Sequence, residues 1–233
     1  MGKARCQCSP SCKRPPLPHS AFCSVHARHC KRQAPLSGSE YPYDPDLYNR
    51  HQGIKESHNC FAYAFRYMDL PQNGKTPCTK ESCPIPYPQP GRASGYPKWS
   101  KVDGKRCPDL IARIMGDVPG IKPSTFEKRC PKGMRKIVPV VAPKDDYHFY
   151  SQDANGEWSH KPGATEVTRL DANKRPIHDP KLASRDYTSS GINYSEFCGY
   201  WCIPTGKKMR LGRGGGTRRK VTRRPKNRKT VRR

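Results

Sequence analysis

Cys60, His148 and His160 are the residues through which this chain could break a bond. A thiol hydrolase needs a thiolate, a base close to it and a group that orients the base. Histidine is the side chain that exchanges protons near neutral pH. Cys60 lies in Ser57-His58-Asn59-Cys60-Phe61-Ala62-Tyr63-Ala64-Phe65-Arg66-Tyr67-Met68. A helix start there would place the thiol among free backbone amides, which favour its ionised form. His58 is a second candidate base from the same turn. The competing reading of Cys60 is a buried structural cysteine, since free cysteine is among the most buried residue types.

A second cluster sits at residues 1–32. Cys8-x3-Cys12, a ten-residue loop and Cys23-x2-His26 have the two-pair layout of a structural zinc site. Such a site staples a segment too short for its own core. Cys6 and Cys30 are alternates, able to replace a member of the set or to bond to each other; a disulfide knot is the rival arrangement. Lys13, Arg14, Arg28, Lys31 and Arg32 surround these ligands and offer contacts to phosphate. Cys78, Cys83, Cys107 and Cys130 suit a second metal site or two disulfides, and four cysteines allow three pairings.

The elements that must position these groups read as α+β. Residues 57–70 are expected as a helix capped by Ser57 or Asn59, with Phe61, Ala64, Phe65 and Met68 as its apolar stripe and Pro71 as its stop. Residues 33–56 read as an extended linker whose tyrosines pack on the core. Residues 71–100 read as an ordered, proline-rich wrap. Residues 107–116 form a second helix, with Pro108 in its first turn. Residues 136–142 are a strand, with Pro139 marking an edge or a bulge. Residues 147–152 and 157–161 make a hairpin around Asn155-Gly156, and 196–203 is a last strand. A two-residue hairpin loop would point His148 and His160 to opposite faces; a three-residue loop or a bulge would bring them to one face.

The order of nucleophile helix and following sheet resembles papain-like folds, in particular the NlpC-like peptidases and amidases. That resemblance implies Cys60 as nucleophile, His148 as base and His160 as orienter, with Asn59 or the Cys60 amide in the oxyanion hole. It also implies a papain-like core over 57–204, in which the helix packs on a small antiparallel sheet. Asn59-Cys60-Phe61-Ala62-Tyr63-Ala64, Asp146-Tyr147-His148-Phe149-Tyr150, Trp158-Ser159-His160-Lys161-Pro162-Gly163 and Phe197-Cys198-Gly199-Tyr200 are similar to uncharacterised proteins of bacteria and large viruses. The Cys-rich head resembles short modules of large DNA viruses that end in Cys-x2-His.

Composition shifts the emphasis away from catalysis. The 233 residues carry a formal net charge of +26, a hydrophobic fraction of 33 %, 25 prolines and 19 glycines. Residues 206–233 hold 14 Lys and Arg and no acid, leaving a balance of +12 on the other 205 residues. Within the tail at 205–233, Lys207, Lys208, Arg210, Arg213, Arg218, Arg219, Lys220, Arg223 and Arg224 are expected to hold nucleic acid or another polyanion without reading sequence. An anionic membrane surface and capsid proteins are the further partners expected. No run is long and apolar enough to span a bilayer. Met1 to Pro10 does not read as a secretory signal, and a reducing compartment is expected, which makes metal binding the first explanation to consider for twelve cysteines. The sequence thus predicts a basic structural protein of a virion or host-cell interior, of minor-capsid or genome- or membrane-bridging type. A cysteine hydrolase and a sequence-independent DNA-binding protein are its alternatives.

Overall fold

The computed structural model describes residues 5–30, 32–68, 87–99, 105–143 and 145–206. Cys78, Cys83, Lys31 and the whole basic tail from Lys207 lie outside them.

Short helices come first: α1 (Asp46–Asn49), α2 (Gln52–Ser57) and α3 (Cys60–Ala64). The stretch read as a linker therefore holds two helices. Tyr48 and Ile54 are buried and anchor them, as expected of the tyrosines. The helix expected over 57–70 is shorter, because α2 ends at Ser57 and a new start follows. Asn59 is that start: its Oδ1 accepts the Ala62 amide at 3.1 Å. The longer helix α4 (Cys107–Asp117) carries Pro108 in its first turn and buries Leu110 and Ile114.

The strands are β1 (Lys122–Ser124), β2 (Met134–Ala142), β3 (Asp146–Gln152), β4 (Trp158–Ser159), β5 (Asp186–Tyr187), β6 (Ile192–Asn193), β7 (Glu196–Phe197) and β8 (Tyr200–Pro204). Six of them form one antiparallel sheet in the order β1-β8-β2-β3-β4, with β7 also on β2; β5 and β6 pair separately. The α+β class is therefore the observed one.

β2 is central and buried along its whole length. Its side chains alternate between two cores, as a strand's must. Ile137 and Val141 join Cys60, Phe61, Phe65, Leu110, Ile114, Tyr147 and Phe149 on the helix side. Val138 and Val140 join Tyr150, Trp158, Ile177, Tyr194 and Tyr200 on the other. Pro139 is tolerated inside this strand because pairing breaks beside it. β8 covers β2 up to Ile137 and β7 resumes at Val140. Between them Gly199 turns at φ +89°, so the missing proline amide leaves no ladder bond unmade.

Three disulfides lie among the described residues: Cys8–Cys30, Cys107–Cys198 and Cys130–Cys202. They take up six of the ten described cysteines, so metal is not the general explanation, while Cys6, Cys12, Cys23 and Cys60 stay free. Cys107 and Cys130 bond to Cys198, between β7 and β8, and to Cys202 on β8, partners that local spacing did not suggest. Each bond ties a segment before the central hairpin to the chain's final sheet residues.

Candidate metal centre and the isolated thiol

Cys60 opens α3 with its side chain in the helix-side core, 5 % exposed. Its thiol donates to the Tyr147 carbonyl at 3.8 Å. Burial pushes the thiol pKa far up, and the negative charge of Asp146 adds to this. Burial of this kind works against the thiolate that a nucleophile needs.

His148 follows Tyr147 on β3 and therefore faces the opposite core. Its ring packs against those of Tyr150, Tyr194 and His160. The β3–β4 register pairs Ser151 with Ser159 and Gln152 with Trp158, leaving five residues, 153–157, in the loop. An odd-numbered loop puts His148 and His160 on one face, and His148 Nε2 lies 2.7 Å from His160 Nδ1. His160 Nε2 donates to the Leu170 carbonyl at 2.9 Å, so its Nδ1 accepts and His148 Nε2 donates. Burial keeps both rings neutral: His148 is held well below the usual imidazole range, with His160 adding to the effect, and His160 is pushed down to about 4.

The expected catalytic set thus separates into two. The histidines meet each other, and the sheet stands between them and Cys60. Asn59 is also committed, its Nδ2 donating to Pro88 O at 2.9 Å and its Oδ1 capping α3. His58, the second candidate base, is buried with Nδ1 against Ser57 Oγ at 2.9 Å.

The head brings its ligands together. Cys6, Cys12, Cys23 and His26 offer donor atoms that all lie within 4.8 Å of one another, an arrangement that could bind a metal ion. Cys6 Sγ and Cys23 Sγ each stand 3.3 Å from His26 Nδ1, and Cys12 Sγ is 3.9 Å from Cys23 Sγ. Bonds of about 2.3 Å to sulfur and about 2.0 Å to nitrogen at tetrahedral angles require ligand separations of this size. The Cys23 amide donates to Cys6 Sγ at 3.2 Å. Hydrogen bonds, the His26 amide foremost, outweigh burial and lower the Cys23 thiol to about 6. One member of the expected set is corrected: Cys8 is spent in the bond to Cys30, and Cys6 takes its place.

The head is fixed on the loop at 176–179 through the residue between these two cysteines. Gln7 is buried; its Nε2 donates to Pro176 O at 3.1 Å and its Oε1 accepts the amides of His178 and Asp179 at 2.7 and 3.0 Å. Arg32, expected to face phosphate, instead bonds Asp179 at 2.6 Å and Glu127 at 3.1 Å and lies over the Phe126 ring. His178 packs edge-on against Phe22. No sequence signal marked these docking residues, because they belong to segments that meet only in the folded chain.

Fold and site together define a small disulfide-reinforced α+β protein with a Cys3His ligand set in a docked head. No helix among the described residues is long and apolar enough to cross a membrane. The chain is 37 % identical over 114 residues to Insoluble matrix shell protein 1 of Ruditapes philippinarum, an alignment covering 49 % of this chain and 68 % of that protein. It belongs to the same family. No family model matches the chain, and no solved structure matches it.

Proposed function

We propose that this chain is a structural protein of a covalently reinforced assembly, in which a metal-stapled head and a disulfide-tied core present a polyanion-binding tail. The observation that carries this reading is the separation of Cys60 from His148 and His160 across the sheet. A papain-like core, on this reading, serves as scaffold, and Cys60 is part of its packing. The three disulfides are reinforcements suited to a protein that must persist. The relative, named as an insoluble shell matrix protein, supports the structural class. A virion is the setting the sequence favours, and the structural role is common to both settings.

Zinc is the metal that suits three thiolates and one imidazole in a closed tetrahedral set. It would supply folding stability to the head and no chemistry. The tail residues Lys207, Lys208, Arg210, Arg213, Arg218, Arg219, Lys220, Arg223 and Arg224 would hold nucleic acid or another polyanion by counterion release. The test is sedimentation of the full chain with double-stranded DNA across a salt series. Co-sedimentation that falls steeply with salt and is the same for Cys60→Ala supports the reading. Salt-independent binding, or none, removes the tail's assigned role; hydrolysis of a peptide or amide substrate that Cys60→Ala abolishes removes the structural role.

A further inference from the structure

Next to the point where the tail leaves the fold, a recess opens between the end of α3 and the start of β2. Tyr41, Arg66, Arg135, Ser151 and Asp153 line it. It encloses about 210 Å³ including open solvent.

Arg135 forms the base and is 2 % exposed. One Nη donates to Ser151 Oγ at 2.8 Å, the other to the Ala64 carbonyl, and Nε–H has no partner. Burial lowers this guanidinium only to about 10, so it is cationic at neutral pH. Among the described residues no carboxylate lies within ion-pair distance of it. A buried charge left this way is costly. Arg66 adds a second cation. Both guanidiniums lie over the Tyr41 ring, at 5.0 and 5.2 Å from its centroid. Arg66 holds this place from a left-handed backbone, φ +54°, uncommon for a residue with a side chain. The Asp153 carboxylate does not neutralise the pair. It accepts from Ser159 Oγ at 2.8 Å and pairs with Arg169 at 3.4 Å.

We propose that this recess is an oxoanion site, in which a sulfate or phosphate group sits at the mouth against Arg66, with the unpaired charge of the buried Arg135 behind it. Tyr41 links the site to the tail, because its hydroxyl accepts the Gly206 amide at 3.3 Å. The site is independent of the tail reading. A free oxoanion and the same group on a polymer have the chemistry it takes.

The test follows the Arg135 Nε–H resonance of the full chain by NMR, in inorganic sulfate, in dextran sulfate and in chloride of equal ionic strength. Movement in sulfate identifies a free-ion site, and movement in dextran sulfate alone identifies a polymer-borne group. Arg66→Asn suits the left-handed backbone and should weaken the apparent affinity about tenfold, with Arg66→Lys recovering part of it. A resonance that stays still in both sulfates marks a recess that holds only water and overturns the proposal. So does equal movement in chloride, or movement unchanged by Arg66→Asn.

Discussion

His148 donates its Nε2 proton to His160 Nδ1 across 2.7 Å, on the face of the sheet that Cys60 does not share. Both imidazoles are buried and neutral, and protonation in the unfolded chain is therefore easier than in the folded one. For such a group stability is full above the unfolded pKa and is lost as pH falls toward the folded value. With His160 at 6.5 unfolded and about 4 folded, the window is pH 6.5 down to about 4. The expected loss across it is about 3 kcal/mol for His160. Asp153, raised by burial to about 6, has the opposite sign, so the comparison must be internal. Urea unfolding of wild type and His160→Gln at pH 7.5, 5.5 and 4.5 should give a flatter profile for the variant. Parallel profiles would show that the pair does not govern acid stability.

Cys60 is expected to behave as a core residue. Cys60→Ala should cost about 1–2 kcal/mol by loss of packing against the helix-side core. The native thiol should react with iodoacetamide far more slowly than glutathione at pH 8, because burial raises its pKa. Alkylation followed by peptide mass mapping measures this directly. Labelling of Cys60 at or above the glutathione rate in the folded protein would restore it as a candidate nucleophile.

The head makes a prediction that separates two neighbouring cysteines. Cys6→Ser, Cys12→Ser and His26→Ala should each drop bound zinc below one per chain, whereas Cys8→Ala/Cys30→Ala should keep it. Native mass spectrometry of the zinc-loaded protein counts the ion. Removing zinc with a chelator should cost about 4 kcal/mol if the free ion had been held at about a thousandfold over Kd. Zinc retained by Cys6→Ser but lost by Cys8→Ala would restore the set expected from spacing.

Local features were legible in the sequence and tertiary ones were not. The Asn59 cap, the α4 start at Pro108 and the Cys23-x2-His26 turn depend on residues within four positions of each other. Whether His148 and His160 share a face depended on loop parity. Asn155-Gly156 signalled a turn, but the Gly156 amide bonds Asp153 O at 2.8 Å inside a five-residue loop. Cys6 and Cys8 were chemically equal candidates, and what divides them is that Gln7 between them is pinned to the 176–179 loop. The partners of Cys107 and Cys130 lie 91 and 72 residues away, beyond any periodicity. The oxoanion recess depends on Arg135 lacking a carboxylate, which only the folded surroundings could show.

The disulfides can be ranked by the chain they close. Cys107–Cys198 spans 91 residues and Cys8–Cys30 spans 22. If each bond acts by restricting the unfolded chain, removing the longer should cost about 4–5 kcal/mol and the shorter about 1 kcal/mol less. The double variants Cys107→Ala/Cys198→Ala and Cys8→Ala/Cys30→Ala, unfolded in urea with zinc present, measure the difference. Chain entropy has no account of a Cys8–Cys30 loss that exceeds the Cys107–Cys198 loss. In that case the short bond would be acting in the folded state, holding Gln7 and the metal ligands against the 176–179 loop. Repeating the comparison without zinc should then remove the excess, because the ligand set would no longer be there to hold.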